Sequence, residues 1–214
     1  MLQGYCNPRP TFIALPGTAA TKLPDMPITT ITRTPTTPQG YELVRPFLAA
    51  MGRTIDKVLG DGNCLFRALA KQLSGSSDKH MELRGIMMNF EAKNATTINR
   101  ISFAEHIDTR KKVFTWGTTL EILATASLFR VDIFEATNSL TPGKMKWLKY
   151  SPVDYENLRG LEGASDFNTR GKSWLEIVYI GSCHFDSITP LNKDITLTRP
   201  QLEVKHYHMD LSQV

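Results

Sequence analysis

The sequence predicts a single α+β domain, on three observations. Apolar residues at helical spacing are concentrated in the first half of the chain, up to about residue 128. Runs rich in β-branched and aromatic residues lie in the second half, above all Trp174–Ile180. Helices and strands segregated along a chain in this way point to α+β architecture. The third observation is size: 214 residues at 41% hydrophobic content suffice for one packed core with tails.

Residues 1–40 read as a tail. Thr21 to Pro38 holds prolines at 24, 27, 35 and 38 among threonines, a composition with few donors and little to bury. Order is expected from Tyr41, so the domain is placed at residues 41–190, with a polar C-terminal tail over 191–214. Pro46 is expected to open a short helix through Ala50. Ile55–Leu59 reads as an extended stretch that feeds the turn Gly60-Asp61-Gly62-Asn63. A helix then starts at Cys64, with Leu65, Phe66, Leu69 and Leu73 on one face. Ser74–Ser77 is a loop, and Asp78 caps a helix whose stripe is Leu83, Ile86, Met87 and Phe90. Met81, Met87 and Met88 are read as core filling. A further helical piece is expected over Thr97–Ile107, with His106 at the surface.

Thr118-Thr119-Leu120-Glu121 carries a capping box. The helix behind it presents Leu120, Leu123, Ala124, Ser127 and Leu128. Phe129–Phe134 and Met145–Tyr150 are strands on either side of a Thr141-Pro142-Gly143 turn. Ser151–Lys172 is a surface loop. Trp174–Ile180 is a buried strand broken by Gly181, and a last extended segment runs from Cys183 to Pro190.

Composition excludes several classes of function. The net charge of +4 comes from 25 Lys+Arg against 21 Asp+Glu with no long basic block, which argues against nucleic acid as a partner. Three cysteines, at 6, 64 and 183, without a CxxC pair disfavour a disulfide-built domain and a zinc ribbon. No apolar run approaches the roughly 20 residues of a membrane helix, and no signal-peptide pattern opens the chain. The expectation is an intracellular, cytoplasmic monomer, with the nucleus also open to it, that touches neither nucleic acid nor membrane.

The chemistry concentrates at two places. Cys64 falls at the first position of a helix, where free backbone N–H groups and the helix dipole favour the reactive thiolate. In extended backbone residues i and i+2 share a side, so Asp186 can reach the His184 ring while Phe185 packs inward. An aspartate beside the imidazole stabilises imidazolium, and imidazolium stabilises thiolate. On residue types alone, a small buried cysteine and a structural histidine are the better readings; the helix-start placement of Cys64 and the His-x-Asp spacing bring the catalytic reading level with them. Cys183, next to His184, is read as inert packing. His206-Tyr207-His208 offers two histidines without a third ligand, so it is read as surface rather than metal site.

Asp61-Gly62-Asn63-Cys64-Leu65-Phe66-Arg67-Ala68 resembles the nucleophile motif of the ovarian-tumour (OTU) family of cysteine proteases. His184-Phe185-Asp186 resembles that family's downstream His-aromatic-acid motif. Trp116-Gly117, the helix behind it and Val131–Phe134 are similar to its middle segment. The resemblance implies a papain-like OTU fold, with a small, central, mostly antiparallel sheet between helices. It implies a deubiquitinase that cuts after the C-terminal glycine of ubiquitin or polyubiquitin without a metal or other cofactor. Cys64 would be the nucleophile, His184 the base and then acid, and Asp186 the orienting group, with Asp61 as an alternative. Backbone N–H groups of Asp61, Gly62, Asn63 and Cys64 would form the oxyanion hole. Trp116 would wall or support a narrow cleft. The alternatives are a protease for another ubiquitin-like modifier or a polyprotein, and a relative that binds ubiquitin without cutting.

Overall fold

The computed structural model describes residues 39–94, 109, 111–112, 114–138, 144–153, 162–181 and 183–201. The expected N-terminal tail up to residue 38, the helix over 97–107 with His106, the turn at 141–143 and the 206–208 segment lie outside the described residues. Among the described residues the helices are α1 (Gln39–Ala49), α2 (Cys64–Ser74), α3 (His80–Lys93) and α4 (Thr119–Phe129). The strands are β1 (Arg53–Asp56), β2 (Asp132–Thr137), β3 (Lys146–Tyr150), β4 (Trp174–Ile180) and β5 (His184–Pro190). They form one sheet in the order β1-β5-β4-β2-β3. Three pairings are antiparallel and β2–β4 is parallel, so the sheet is mixed but mostly antiparallel.

Strand alternation splits the apolar residues between the two sides of the sheet. Ile133, Leu175, Ile177, Tyr179 and Phe185 join the core built on α2, α3 and α4. Phe134, Ala136, Val178, Ile180 and Ile188 join a smaller core with Val44 and Leu48 of α1. His184 and Asp186 alternate with Phe185, which places them on the α1 side. Tyr179 and Phe185 stack at 4.7 Å behind them.

Several expectations shift in register. Pro46 lies inside α1 rather than at its start. Val44 and Leu48, one turn apart, are 1% and 0% exposed and straddle it. Their burial against the sheet outweighs the hydrogen bond that the proline ring forfeits. The first β strand after α4 covers Asp132–Thr137, three residues later than expected, because Arg130 adopts a left-handed cap (φ 49°) that extends the helix end. The Thr118–Glu121 capping box is present. Ser76, not Asp78, caps the turn before α3, accepting from the Asp78 N–H. Met87 and Met88 are buried, whereas Met81 is exposed. The loop after β3 is not all surface: Phe167 is 3% exposed and enters the main core. Residues 191–201 also pack on the domain: the Leu191 N–H donates to Gly52 O, and Arg199 pairs with Asp132.

The smaller core holds a charge pair. Arg53 donates through Nε and Nη2 to the two carboxylate oxygens of Glu176, each at 2.7 Å, with both side chains under 5% exposed. The guanidinium also donates to Met51 O and Thr198 O and lies over the Trp147 ring, while Trp174 Nε1 donates to Glu176. This bidentate pair ties β1 to β4 across β5. Arg53→Met strands a buried carboxylate and is expected to cost about 3–5 kcal/mol in urea unfolding. The double change Arg53→Met with Glu176→Leu is expected to cost less than the single one.

Candidate active site

Cys64 is brought to the site by the turn before α2. Gly62 takes φ 79°, and a Cβ there would lie 2.4 Å from Phe114 O, so both backbone angle and space demand glycine. Asn63 precedes the helix without a side-chain cap bond to it. Its Oδ1 instead accepts from Arg84 Nη2 (2.8 Å) and the Phe114 N–H (3.3 Å). Cys64 is therefore the first residue of α2, as the sequence suggests, and is only 3% exposed. N–H groups of a helix's first turn have no acceptor within the helix.

α2 is fastened to the strand that carries the histidine. Gln72 Nε2 donates to Ser187 Oγ at 2.7 Å and to Ile188 O at 2.6 Å. These bonds set the distance from the helix to β5, and with it the meeting of Cys64 with His184. Cys64 is close enough to His184 to be among the groups that raise its pKa.

His184 opens β5, opposite Ile180 at the end of β4. Its Nε2 lies 3.0 Å from Asp186 Oδ1, which leaves Nδ1 for Cys64. Asp186 is fully buried. It also accepts from the Val58 N–H at 2.8 Å and from the Tyr41 hydroxyl at 2.8 Å. A carboxylate can be kept ionised at such depth only because three donors face it. Burial pushes the Asp186 pKa up, but His184, the Val58 N–H and Tyr41 outweigh it and hold it below the ordinary value. Burial lowers the affinity of His184 for its proton, but hydrogen bonds to Asp186 and Cys64 and their charges outweigh it, and the pKa rises to about 9. Burial and the neighbouring Asp186 keep Tyr41 protonated, and so a donor.

Asp186 and Cys64 thus both act on His184. Asp61 is turned elsewhere. Its carboxylate accepts from Arg67 Nε and Nη2, the latter at 2.6 Å, and from the Asn63 N–H at 3.0 Å. Burial works against ionisation, but Arg67 and Asn63 outweigh it and hold Asp61 at about 2. Because the Asn63 N–H is already given to Asp61, it drops out of the expected set of oxyanion donors. Trp116 is half-buried. Cys183 is 7% exposed. Tyr41 and Val58 went unnoticed in the sequence. Neither belongs to a motif, and they lie 145 and 128 residues from Asp186, so no local spacing signals them. Among the described residues, no group of three or more His, Cys, Asp or Glu side chains is arranged to hold a metal, and no helix is long and apolar enough to cross a membrane.

Residues 59–156 match the family model described as OTU-like cysteine protease. The match contains the Cys64 turn and ends before His184. An Arabidopsis thaliana protein, OVARIAN TUMOR DOMAIN-containing deubiquitinating enzyme 7, is 32% identical over 94 residues, which is 42% of this chain and 25% of the relative. OVARIAN TUMOR DOMAIN-containing deubiquitinating enzyme 11 of the same plant is 28% identical over 156 residues, covering 63% of this chain and 64% of that protein. The chain spans about a quarter of the length of the first of these relatives. Among solved structures, the OTU domain of OTUD1 superposes with a TM-score of 0.56 at 19% identity, over 70% of this chain and 94% of that one; at this identity the likeness concerns the fold. With its cysteine motif inside the matched segment and its fold shared with a solved OTU domain, the chain is similar to the OTU-like cysteine proteases.

Proposed function

We propose that the domain is a thiol-dependent deubiquitinase that hydrolyses the bond after the C-terminal glycine of ubiquitin or polyubiquitin. The observation that carries this reading is the line Cys64–His184–Asp186. A cysteine at a helix start acts on an imidazole whose Nε2 is held by a buried carboxylate. The family match and the relatives whose names are those of deubiquitinating enzymes support the choice of substrate.

In this reading the raised pKa of His184 keeps it an imidazolium at neutral pH, the partner that favours the reactive form of a cysteine. The thiolate attacks the carbonyl carbon of the terminal glycine, and the carbonyl oxygen becomes an oxyanion. N–H groups of Cys64, Gly62 and Asp61 are the donors left to it, since that of Asn63 is taken. Collapse breaks the C–N bond, and the imidazolium gives its proton to the departing amine. The now neutral His184 takes a proton from water, and the resulting hydroxide attacks the thioester. Expulsion of the Cys64 thiolate restores the starting pair with the proton on His184, and the product carboxylic acid loses its own proton to solvent. Asp186 holds the ring in register through Nε2 and stabilises its charged form. Tyr41 and Val58 hold Asp186. Asp61 is assigned to the turn, where it binds Arg67, rather than to the imidazole.

A ubiquitin probe with a C-terminal vinyl electrophile tests the assignment. Wild type is expected to be labelled and Cys64→Ala to be blank. Binding of ubiquitin without labelling or turnover by wild type would sink the enzyme reading, and labelling by another modifier alone would move the substrate. With a fluorogenic ubiquitin substrate, His184→Ala is expected to remove nearly all turnover. Asp186→Ala is expected to lower kcat by roughly a hundredfold or more, in the range for loss of an orienting acid. Near-wild-type kcat in Asp186→Ala would return the orienting role to Asp61.

The same groups make stability depend on pH. The folded-state pKa of His184 is about 9 against an ordinary 6.5, so folding takes up a proton between these values. Its contribution is complete below 6.5 and is lost as pH rises through about 9. Urea midpoints measured across this window are expected to fall for wild type and to fall less steeply for Asp186→Asn. Equal slopes would show that His184 is not held charged by Asp186.

A further inference from the structure

The turn before Cys64 is held from behind by a side chain that the mechanism has not used. Arg84, in the second turn of α3, is 1% exposed, with its guanidinium 3.9 Å from the centre of the Phe66 ring. Nη2 donates to Asn63 Oδ1 at 2.8 Å and to Thr115 O at 2.7 Å, and Nη1 donates to Lys112 O at 3.3 Å. One planar fork therefore grips both the turn that precedes the nucleophile and the segment 112–115 beside it. The two strips also touch each other. The Phe114 N–H donates to Asn63 Oδ1, and Phe114 O fills the space that a Cβ at Gly62 would need. Phe114 sits at φ 66°, a strained angle for a residue with a bulky side chain, and its ring is 58% exposed. Burial of that side chain thus does not account for the strained backbone, whereas the carbonyls gripped on either side of it do.

We propose that Arg84 is a positioning residue for the oxyanion hole. Acting through Asn63 Oδ1 and the carbonyls of Lys112 and Thr115, it fixes the Gly62–Cys64 backbone so that the N–H groups of Gly62 and Cys64 face the developing oxyanion. The proposal rests on the thiol-protease reading of Cys64, but not on ubiquitin as the substrate. A bidentate guanidinium is needed because a lysine ammonium cannot span Asn63 and two carbonyls in one plane. Displacing oxyanion donors by about 1 Å costs acyl transfer up to roughly a hundredfold.

Two small electrophiles separate this role from a general effect on the thiol or the fold. Alkylation of Cys64 by iodoacetamide needs the thiolate but forms no oxyanion. Acylation by p-nitrophenyl acetate passes through a tetrahedral oxyanion before p-nitrophenolate leaves and S-acetyl-Cys64 remains. For Arg84→Lys, the acylation burst is expected to slow by about tenfold to a hundredfold, with the alkylation rate and its pH profile as in wild type. With a ubiquitin substrate the loss should fall on kcat and not on KM. An unchanged burst, or acylation and alkylation falling in parallel, would overturn the proposal. Asn63→Ala removes the turn's acceptor and leaves Arg84 its carbonyl partners, so it provides the same comparison if Arg84→Lys does not fold. It too should slow acylation alone. A wild-type protein that is acylated but ignores ubiquitin would end the ubiquitin reading, while the burst comparison would still decide the role of Arg84.

Discussion

The carboxylate of Asp186 is the interaction on which the site depends. It is fully buried, and each of its partners comes from a different part of the chain: Tyr41 from α1, the Val58 N–H from the connection between β1 and α2, and His184 from its own strand. Removing water from a charge is costly, and three donors aimed at it offset that cost. The arrangement has a geometric consequence. A donor on α1 can reach Asp186 only if α1 lies across the sheet on the His184 side, and Val58 only if the chain leaves β1 toward the Cys64 turn. The same bonds that keep the carboxylate ionised therefore hold the site's surroundings in place.

Around that centre the structure separates jobs between two acids that look alike in sequence. Asp61 and Asp186 are both aspartates near a reactive residue. Asp61 faces an arginine fork and a turn N–H and is held at about 2. Asp186 faces an imidazole, and the pair raises the imidazole's pKa to about 9. Environment, not residue type, assigns one to the shape of the turn and the other to the charge of the ring. α2 completes the frame. Its start is fixed by the Gly62 turn, and its far side is bonded to β5 through Gln72, so Cys64 and His184 are both referred to the same strand.

Arginine carries much of the remaining positioning. Arg53 joins β1 to β4, Arg67 locks Asp61, and Arg84 grips the turn and the 112–115 segment. In each case the planar fork makes two or more bonds in a fixed geometry that a flexible ammonium does not reproduce. The interior is thus organised by directional polar contacts laid over two apolar clusters, one on each side of the sheet.

The sequence by itself determined the features that are local. The cysteine at the first position of α2, the capping box at Thr118 and the strand Trp174–Ile180 all follow from neighbours within about one turn or a few residues of each other. So does the shared side of His184 and Asp186, since alternation in a strand is a local rule. Resemblance of the motifs to a family supplied the proposed substrate class, which no spacing contains. Tertiary structure decided the rest. The helix around Pro46 forms because Val44 and Leu48 bury in a cluster with strand residues from Phe134 to Ile188, far along the chain, and the burial overrides the proline's own preference. Tyr41, Val58 and Arg84 gained their roles from bonds that span 145, 128 and 21 residues. The choice between Asp61 and Asp186 was equally invisible, because it turns on which cation each carboxylate meets. A residue's chemistry is written in its type, but its partner is set by packing between segments that the sequence leaves far apart.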